Sequence, residues 1–211
     1  MVDEQLHARG IRDAAVLEAM KTIPREAFLP VDLAHAAYRD TPLPIGDGQT
    51  ISQPYVVALM ASALCLRPGD RALEIGTGSG YAAAILSLVA GQVYTVERNP
   101  RLATEAEERF HALGLSNIAL RCGDGSLGWP DAAPFEGIMV SASGPRVPPE
   151  LREQLTVGGR LVIPVAHRRQ QRLSCVRRLA DDEFRERDLG PVRFVPLVGA
   201  GGWPVTEAVR V

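Results

Sequence analysis

Apolar and polar residues alternate through the middle of the chain as short apolar runs separated by segments of helical length. The apolar runs lie at residues 72–75, 91–97, 117–122, 135–141 and 158–165. The helical segments between them lie at residues 81–90, 101–113 and 148–155. Strands that alternate with helices are typical of a mostly parallel sheet with helices on both faces. The pattern over residues 71–165 therefore predicts an α/β, Rossmann-like, doubly wound fold.

The N-terminal part departs from this alternation. Residues 3–23 carry apolar positions among charges, which predicts two short amphipathic helices broken near Gly10. Residues 24–30 begin and end with proline and predict a short helical turn or loop. Residues 38–54 contain three prolines and two glycines and predict a long irregular loop, a kind of segment that is usually functional or disordered.

An apolar helix is predicted at residues 55–66, directly after this loop. Ser52 precedes it with Pro54 in the first turn, so local sequence alone favours Ser52 as the helix N-cap over a catalytic role. At the other end of the chain, residues 173–179 and 192–195 predict two antiparallel strands joined by a charged connection at 181–188.

Size and composition narrow the class of protein. The 211 residues, with 46% hydrophobic and 23% charged positions, indicate one globular domain. We divide it into N-terminal helices and a substrate loop (1–66), a cofactor-binding core (67–180) and C-terminal strands with a tail (181–211). A formal net charge of −2 argues against a nucleic-acid binder held by a basic face.

The start of the chain and its cysteines suggest a location. The acidic start Met1-Val2-Asp3-Glu4 resembles neither a secretory signal nor a transit peptide, and no apolar run approaches the roughly 20 residues of a membrane helix. Three cysteines without CxxC spacing are most simply reduced and buried. These observations predict a cytoplasmic protein with no membrane partner.

Candidate chemistry is concentrated in the glycine turn Gly76-Thr77-Gly78-Ser79-Gly80, which joins the first predicted strand of the sheet to a helix. This spacing differs from the G-x-G-x-x-G of dinucleotide-binding turns. An acidic residue at the strand end, Glu74, followed by G-x-G-x-G resembles the first motif of Rossmann-like methyltransferases that use S-adenosylmethionine. The chemistry fits this resemblance, because Glu74 suits the cationic amino end of the cofactor and the N–H groups of the turn suit its carboxylate. A glycine turn alone is weak evidence for a cofactor site, so the residues at the ends of the neighbouring strands must be considered.

Two further acidic residues follow strand ends. Glu97 lies 23 residues beyond Glu74, close to the spacing of about 20 at which such folds bind a ribose diol. Asp124, between Gly123 and Gly125, is placed to reach an adenine ring. The predicted cofactor-binding residues are Glu74, Gly76, Thr77, Gly78, Ser79, Glu97, Arg98, Asp124 and Gly125.

Several motifs along the chain coincide. Two lie before the glycine turn: Pro24-Arg25-Glu26-Ala27-Phe28, and the block from Tyr38 to Pro54 that includes Thr50-Ile51-Ser52-Gln53-Pro54. The others are Leu73-Glu74-Ile75-Gly76-Thr77-Gly78-Ser79-Gly80-Tyr81, Gly123-Asp124-Gly125, Gly128-Trp129-Pro130, Gly158-Gly159-Arg160-Leu161-Val162-Ile163-Pro164 and Val192-Arg193-Phe194-Val195-Pro196-Leu197. In these motifs the chain resembles the protein-L-isoaspartate (D-aspartate) O-methyltransferase family, whose members repair damaged proteins. The glycine motif indicates only a methyltransferase, whereas the Pro42–Pro54 block is specific to the family.

The resemblance implies methyl transfer from S-adenosyl-L-methionine to the free α-carboxylate of L-isoaspartyl residues, leaving S-adenosyl-L-homocysteine. It implies that Ser52 holds the substrate carboxylate, and that Thr50, Ile51, Gln53, Ser141, Ala142 and Ser143 shape the peptide cleft. It further implies a monomer that uses no metal and binds no nucleic acid. Where the family usually reads like Val-Thr-Ala-Ala, this chain has Val140-Ser141-Ala142-Ser143-Gly144, which keeps a lining of small residues.

Other activities remain open at the level of sequence. One is a related methyltransferase that modifies aspartate in a dedicated peptide. Others are an RNA or small-molecule methyltransferase, or a catalytically silent cofactor-binding module. The acidic charge balance and the absence of an Asn/Asp-Pro-Pro-aromatic motif after the fourth strand argue against RNA. The intact stretch from Thr50 to Pro54 argues against a silent module.

Overall fold

The computed structural model describes residues 1–167 and 170–206. The chain starts with two helical turns at Val2–Leu6 and His7–Arg9, and Gly10 ends them in a left-handed conformation. Helix α1 (Ala14–Thr22) follows, and the Asp13 side chain caps it by accepting a hydrogen bond from the Val16 N–H at 3.1 Å. The predicted break near Gly10 is confirmed, although the first helix is only a pair of tight turns. A 310 turn at Arg25–Phe28 confirms the short turn predicted at residues 24–30.

Residues 38–54 were predicted to be irregular, and this is wrong for their centre. Strands β1 (Leu43–Gly46) and β2 (Gln49–Ile51) form an antiparallel hairpin whose tip is Asp47-Gly48. Proline and glycine hide such strands in the sequence, but this two-stranded edge tolerates Pro44 because few ladder hydrogen bonds are required of it. Helix α2 (Pro54–Leu64) starts three residues after the hairpin.

The main sheet has seven strands in the order β5-β4-β3-β6-β7-β8-β9. Their bounds are β3 Arg71–Ile75, β4 Gln92–Glu97, β5 Ile118–Cys122, β6 Phe135–Val140, β7 Leu155–His167, β8 Gln170–Ala180 and β9 Glu183–Val192. Strands β5, β4, β3, β6 and β7 pair in parallel, and β8 and β9 complete the sheet antiparallel. The predicted mostly parallel sheet is confirmed.

Both faces of this sheet are covered because its central strands are apolar on both sides. Alternate residues of β3 enter different clusters: Ala72 packs with helices α1 to α3, whereas Leu73 faces the opposite layer. The remaining α-helices of the described residues are α3 (Tyr81–Val89), α4 (Pro100–Ala112) and α5 (Pro149–Glu153), and short 310 helices lie at Val31–Ala36, Gly125–Leu127 and Pro130–Ala132. In the part of the chain that the structure describes, no helix is long and apolar enough to span a membrane.

The strand predicted at residues 192–195 and the charged connection at 181–188 need correction. Residues 183–192 form β9, so most of the presumed connection is itself a strand, and only a tight turn separates it from β8. Strand β9 is the edge of the sheet and is mostly exposed, so it can carry charges on both faces. Its Asp188 pairs with Arg172 across the ladder, and its Glu186 accepts a hydrogen bond from Ser174 at 2.6 Å.

Gly80, the N-cap of α3, is expected to be intolerant of any side chain. Its φ is +94°, and a β-carbon there would lie 2.7 Å from Cε1 of the buried Phe110 ring. We expect Gly80→Ala to lower the free energy of unfolding by about 2–4 kcal/mol, because left-handed strain adds to overpacking. Urea unfolding measures this change. Gly48→Ala, at a positive φ with open space around it, is the control that reports strain alone; an equal loss in both variants would contradict the packing argument.

Candidate active site

A cavity of about 490 Å³ lies at the carboxyl ends of β3, β4 and β6. The chain runs from β3 to β4 on one side and reaches β6 on the other, so the strand order reverses at β3. Parallel α/β sheets bind their ligands at such a reversal. The volume is in the range of small-molecule sites. One wall of the cavity is the glycine turn after β3, and another is the β1–β2 hairpin with the start of α2.

The glycine turn passes directly beneath the hairpin. Gly78 has a φ of +55°, and a β-carbon at this position would lie 3.4 Å from Cδ1 of Ile45 in β1. The turn is tied to the neighbouring strand, because the Gly76 N–H donates to the Val96 carbonyl at 2.9 Å. The absence of a side chain at Gly78 thus lets the turn pass close to the Ile45 side chain of the hairpin without closing the cavity.

Glu74 is a fully buried carboxyl group that lines this cavity. The hydroxyl of Thr95 donates to Glu74 Oε2 at 2.7 Å, and the hydroxyl of Thr77 lies 2.6 Å from that of Thr95. Glu74 Oε1 has no partner among the described residues. Burial raises the pKa of Glu74 to about 8; the Thr95 hydrogen bond opposes this and the nearby Glu97 carboxylate adds to it. A cation in the cavity would find a carboxyl group with one oxygen still available.

This raised pKa predicts that the ligand-free protein loses stability as the pH rises. Between its ordinary value of 4.5 and about 8, Glu74 keeps its proton in the folded state and loses it in the unfolded chain. The free energy of unfolding should therefore fall across this window and level off above it. Glu74→Gln should flatten this dependence and be more stable than the original protein at pH 8. Urea unfolding at pH 5, 6.5 and 8 tests this, with Glu107→Gln on the exposed face of α4 as control. A variant with the original pH slope would contradict the assignment.

Glu97 ends β4 and lies beside the glycine turn. Its Oε2 accepts a hydrogen bond from the Gly78 N–H at 2.8 Å, and its Oε1 accepts one from the Asn99 N–H at 2.9 Å. One of the turn's N–H groups predicted to meet a cofactor carboxylate is therefore bound to Glu97 in this structure. Glu97 and the adjacent Arg98 both line the cavity.

The Ser52 side chain lines the cavity and does not cap α2. The N-cap residue is Gln53, and no side-chain cap bond is made there. The capping role favoured by local sequence is therefore wrong, because α2 begins at Pro54 and its N-cap position is one residue after Ser52. The described residues contain no hydrogen-bond partner for the Ser52 hydroxyl, and Pro54 occupies the first turn as predicted.

The structure brings most of the predicted residues to this one cavity. From the predicted cofactor set, Glu74, Gly76, Thr77, Gly78, Ser79, Glu97, Arg98 and Gly125 line it, and from the predicted substrate set, Thr50, Ile51, Ser52, Ser141 and Ala142. These residues come from segments as far apart as the β1–β2 hairpin and the end of β6. The agreement supports a single site between the glycine turn and the hairpin.

Three predicted residues lie outside the cavity lining. Asp124 is occupied by the chain itself: Oδ1 accepts from the N–H and hydroxyl of Ser126, and Oδ2 accepts from the Ala200 N–H at 2.8 Å. Gln53 turns away to donate to Asp40, and Ser143 is fully buried behind the segment at 195–197. In this structure these three residues lie behind the walls of the site and support them. The local sequence does not distinguish a residue that supports a wall from one that lines the cavity.

Sequence reasoning also missed residues that line the cavity. Asp47, at the hairpin tip, accepts hydrogen bonds from Asn99 Nδ2 at 2.7 Å and Arg101 Nε at 2.9 Å, so it fastens the hairpin to the start of α4. Residues 195–198 close another side of the cavity. Asp47 followed by Gly48 reads as an ordinary turn, and the only signal for 195–198 was its place in a family motif.

Comparison with known proteins identifies the family of this chain. The model of the protein-L-isoaspartate (D-aspartate) O-methyltransferase family matches residues 1–202. The chain belongs to this family. A protein-L-isoaspartate O-methyltransferase of Methylorubrum extorquens is 57% identical over 202 residues, which cover 96% of this chain and 88% of the relative. Protein-L-isoaspartate O-methyltransferase 2 of Marinobacter nauticus is 55% identical over 205 residues, covering 97% and 94%.

Solved structures of protein-L-isoaspartate O-methyltransferases have the same fold. One superposes with a TM-score of 0.85 at 31% identity and covers 96% of this chain and 67% of its own. A Plasmodium falciparum protein of the same description was solved in complex with S-adenosyl-L-homocysteine. It superposes with a TM-score of 0.80 at 26% identity and covers 93% of this chain and 96% of its own.

Proposed function

We propose that this chain transfers the methyl group of S-adenosyl-L-methionine to the free α-carboxylate of L-isoaspartyl residues in damaged proteins and peptides. The proposal rests on one observation, that two different parts of the chain line the same cavity. The glycine turn of the family's cofactor motif forms one wall, and the hairpin end with the free Ser52 hydroxyl forms the other.

The residues of the cavity fit S-adenosyl-L-methionine, which carries an ammonium group, a sulfonium centre and a nucleoside. The cavity presents the buried Glu74 carboxyl group with an unpartnered oxygen, which suits a cationic amino group. Glu97 offers two carboxylate oxygens at a strand end, a position typical of ribose-diol binding. When bound, the cofactor supplies an electrophilic methyl group. We infer that Glu74, the turn from Gly76 to Ser79, Glu97 and Arg98 hold it, with Gly125 beside the base.

The chain's own contribution to chemistry is positioning and exclusion of water. An α-carboxylate has a pKa of about 3.5, so the nucleophile is already ionised at neutral pH and no general base is needed. The Ser52 hydroxyl would donate a hydrogen bond to this carboxylate and aim its other oxygen at the methyl group. Thr50, Ile51, Ser141 and Ala142 would shield the reacting atoms from water. Gln53 and Ser143 would shape the cleft from behind its wall.

Repair follows from the leaving-group ability of the product ester. The neighbouring backbone nitrogen attacks the ester carbonyl, methanol leaves, and a succinimide ring forms without further help from the protein. Hydrolysis of the ring restores normal aspartate in part and isoaspartate in part, and the latter can be methylated again. The chain is therefore required only for the first bond.

The proposal extends to the setting of the reaction. We infer a cytoplasmic monomer whose partners are isoaspartyl proteins rather than nucleic acid. The three cysteines are free thiols, as expected for a reducing compartment, although the predicted burial is wrong for Cys65 and Cys122, which are exposed. The formal net charge of −2 gives no general attraction to phosphate. Light scattering after size exclusion tests the monomer, for which a mass near 22.7 kDa is expected.

The decisive experiment compares two peptides that differ only in one linkage. One contains an L-isoaspartyl residue and the other a normal aspartyl residue in the same sequence. Methyl transfer from labelled S-adenosyl-L-methionine is expected for the isoaspartyl peptide, with at least about 100-fold preference in kcat/KM, which corresponds to about 2.7 kcal/mol of transition-state discrimination. Equal methylation of both peptides would overturn the repair function, and methylation of neither would overturn carboxyl methylation of peptides.

A further inference from the structure

The start of α2 is stabilised from outside the helix. Pro54 has no N–H, so the Tyr55 N–H is the first donor of the helix that needs a partner. It donates to Asp40 Oδ1 at 2.9 Å, although Asp40 lies 15 residues earlier in the chain. Asp40 thus takes the role that a serine at position 52 or a polar N-cap side chain normally has.

Asp40 also forms a hydrogen bond with Gln53, the residue between Ser52 and the helix. Its Oδ2 accepts a hydrogen bond from Gln53 Nε2 at 2.7 Å and contacts the guanidinium of Arg9. The Asp40 side chain is only 18% exposed, so these bonds are partly shielded from water. A carboxylate at this end of the helix also interacts favourably with the helix dipole.

Ser52 is therefore held from both sides. Before it, β2 pairs with β1, with Ile51 opposite Leu43 and Thr50 opposite Pro44. After it, Gln53 and Tyr55 are bound to Asp40. Within residues 1–167 and 170–206, no hydrogen bond of this kind holds the Ser52 peptide unit itself, so its direction depends on these two neighbours.

We propose that Asp40 is a positioning residue for Ser52: by capping α2 in its place, Asp40 leaves the Ser52 hydroxyl free and holds it facing the cavity. This inference rests on the proposed function, in which Ser52 binds the substrate carboxylate. Loss of the Asp40 carboxylate leaves the Tyr55 N–H without its partner, and the Ser52 hydroxyl, three residues earlier in the chain, can turn to accept from it. The hydroxyl is then lost from the cavity without any change in the residues of the cofactor wall.

The test compares Asp40→Ala with Asp40→Asn and with a matched control. Asp40→Ala should lower kcat on the isoaspartyl peptide by about 10- to 100-fold, while the affinity for S-adenosyl-L-homocysteine stays within about threefold. Asp40→Asn keeps an oxygen for the Tyr55 N–H and should restore kcat to within about threefold of the original protein. Asp13→Ala removes the cap of α1, a comparable loss of stability far from the cavity, and should leave kcat unchanged.

A double substitution separates positioning from general damage. If Asp40 acts through Ser52, adding Asp40→Ala to Ser52→Ala should lower kcat by less than about threefold further, because the interaction is already absent. Additive losses would overturn the inference, as would an Asp40→Ala variant that loses stability but keeps its kcat. Hydrogen exchange adds a readout independent of activity: the Tyr55 amide should exchange faster in Asp40→Ala and not in Asp13→Ala.

Failure of the inference and failure of the proposed function give different results. An active original protein with an unaffected Asp40→Ala variant rejects only the role of Asp40. An original protein that methylates no isoaspartyl peptide rejects the function. In that case the role of Asp40 toward Ser52 is rejected if the Tyr55 amide is unaffected by Asp40→Ala.

Discussion

Replacing Ser52 by alanine is expected to lower kcat on an isoaspartyl peptide by about 10- to 150-fold, because a hydrogen bond to a charged group contributes about 1.5–3 kcal/mol. The hydroxyl lies in the cavity wall and is not used for capping α2. The substitution removes one oxygen and leaves the backbone pairing of β2 intact. Single-turnover methyl transfer from labelled cofactor measures the effect on chemistry directly.

The same variant should be as stable as the original protein and should bind S-adenosyl-L-homocysteine within a few-fold as tightly. Thermal unfolding and calorimetry provide these two controls. A lowered melting temperature with unchanged turnover would instead restore the capping role that the local sequence favours. The two outcomes differ because the α2 cap observed here is Asp40.

Glu97→Ala is expected to weaken cofactor binding by about 10- to 150-fold, since it removes the carboxylate predicted to accept the ribose hydroxyls. It also frees the Gly78 and Asn99 N–H groups, which Glu97 holds in this structure. Titration calorimetry with S-adenosyl-L-homocysteine measures the loss.

Two variants make this result specific. Glu97→Gln keeps two polar ends and should recover part of the affinity. Glu108→Ala removes an exposed carboxylate from α4, outside the cavity, and should bind as the original protein does. Unchanged affinity in Glu97→Ala would remove this residue from the cofactor site.

The parallel part of the sheet was predictable because buried strands produce short apolar segments in the sequence. Strands such as β3 and β4 are buried over most of their length, so apolar residues dominate them, although Glu74 and Thr95 interrupt the runs. The helices between them begin at prolines or glycines that mark a boundary. Each element is therefore defined by residues close in sequence, and the glycine turn between β3 and α3 was identifiable for the same reason.

The β1–β2 hairpin and β9 were not predictable by the same means. Pro44, Gly46 and Gly48 have the composition of a loop, and only pairing between the two halves makes them strands. Strand β9 carries charges on both faces because it is an edge, so it shows no alternation for a pattern to detect. In both segments the deciding interactions are between strands and not within one.

The residues of the site also fall into two groups, those that the sequence predicts and those that it does not. Glu74 and Glu97 lie at the carboxyl ends of predictable strands, so their convergence on one cavity could be predicted from topology. Asp40 reaches Tyr55 and Asp124 reaches Ala200, and no local spacing reveals either contact. The choice between capping and catalysis at Ser52 depended on the first of these contacts, and only the folded chain resolved it.

The bonds from Asn99 and Arg101 to Asp47 connect the two walls of the cavity. The hairpin that ends at Ser52 is fastened beside the end of β4, where Glu97 lies. If a bound cofactor stabilises this contact, it also stabilises the position of the hairpin that binds the peptide. The coupling free energy is the same in both directions, so each ligand tightens the binding of the other by the same factor. We therefore expect positive cooperativity, with the isoaspartyl peptide binding more tightly in the presence of S-adenosyl-L-homocysteine than in its absence. Asp47→Ala should abolish the difference, so one carboxylate at a turn would link the binding of two substrates.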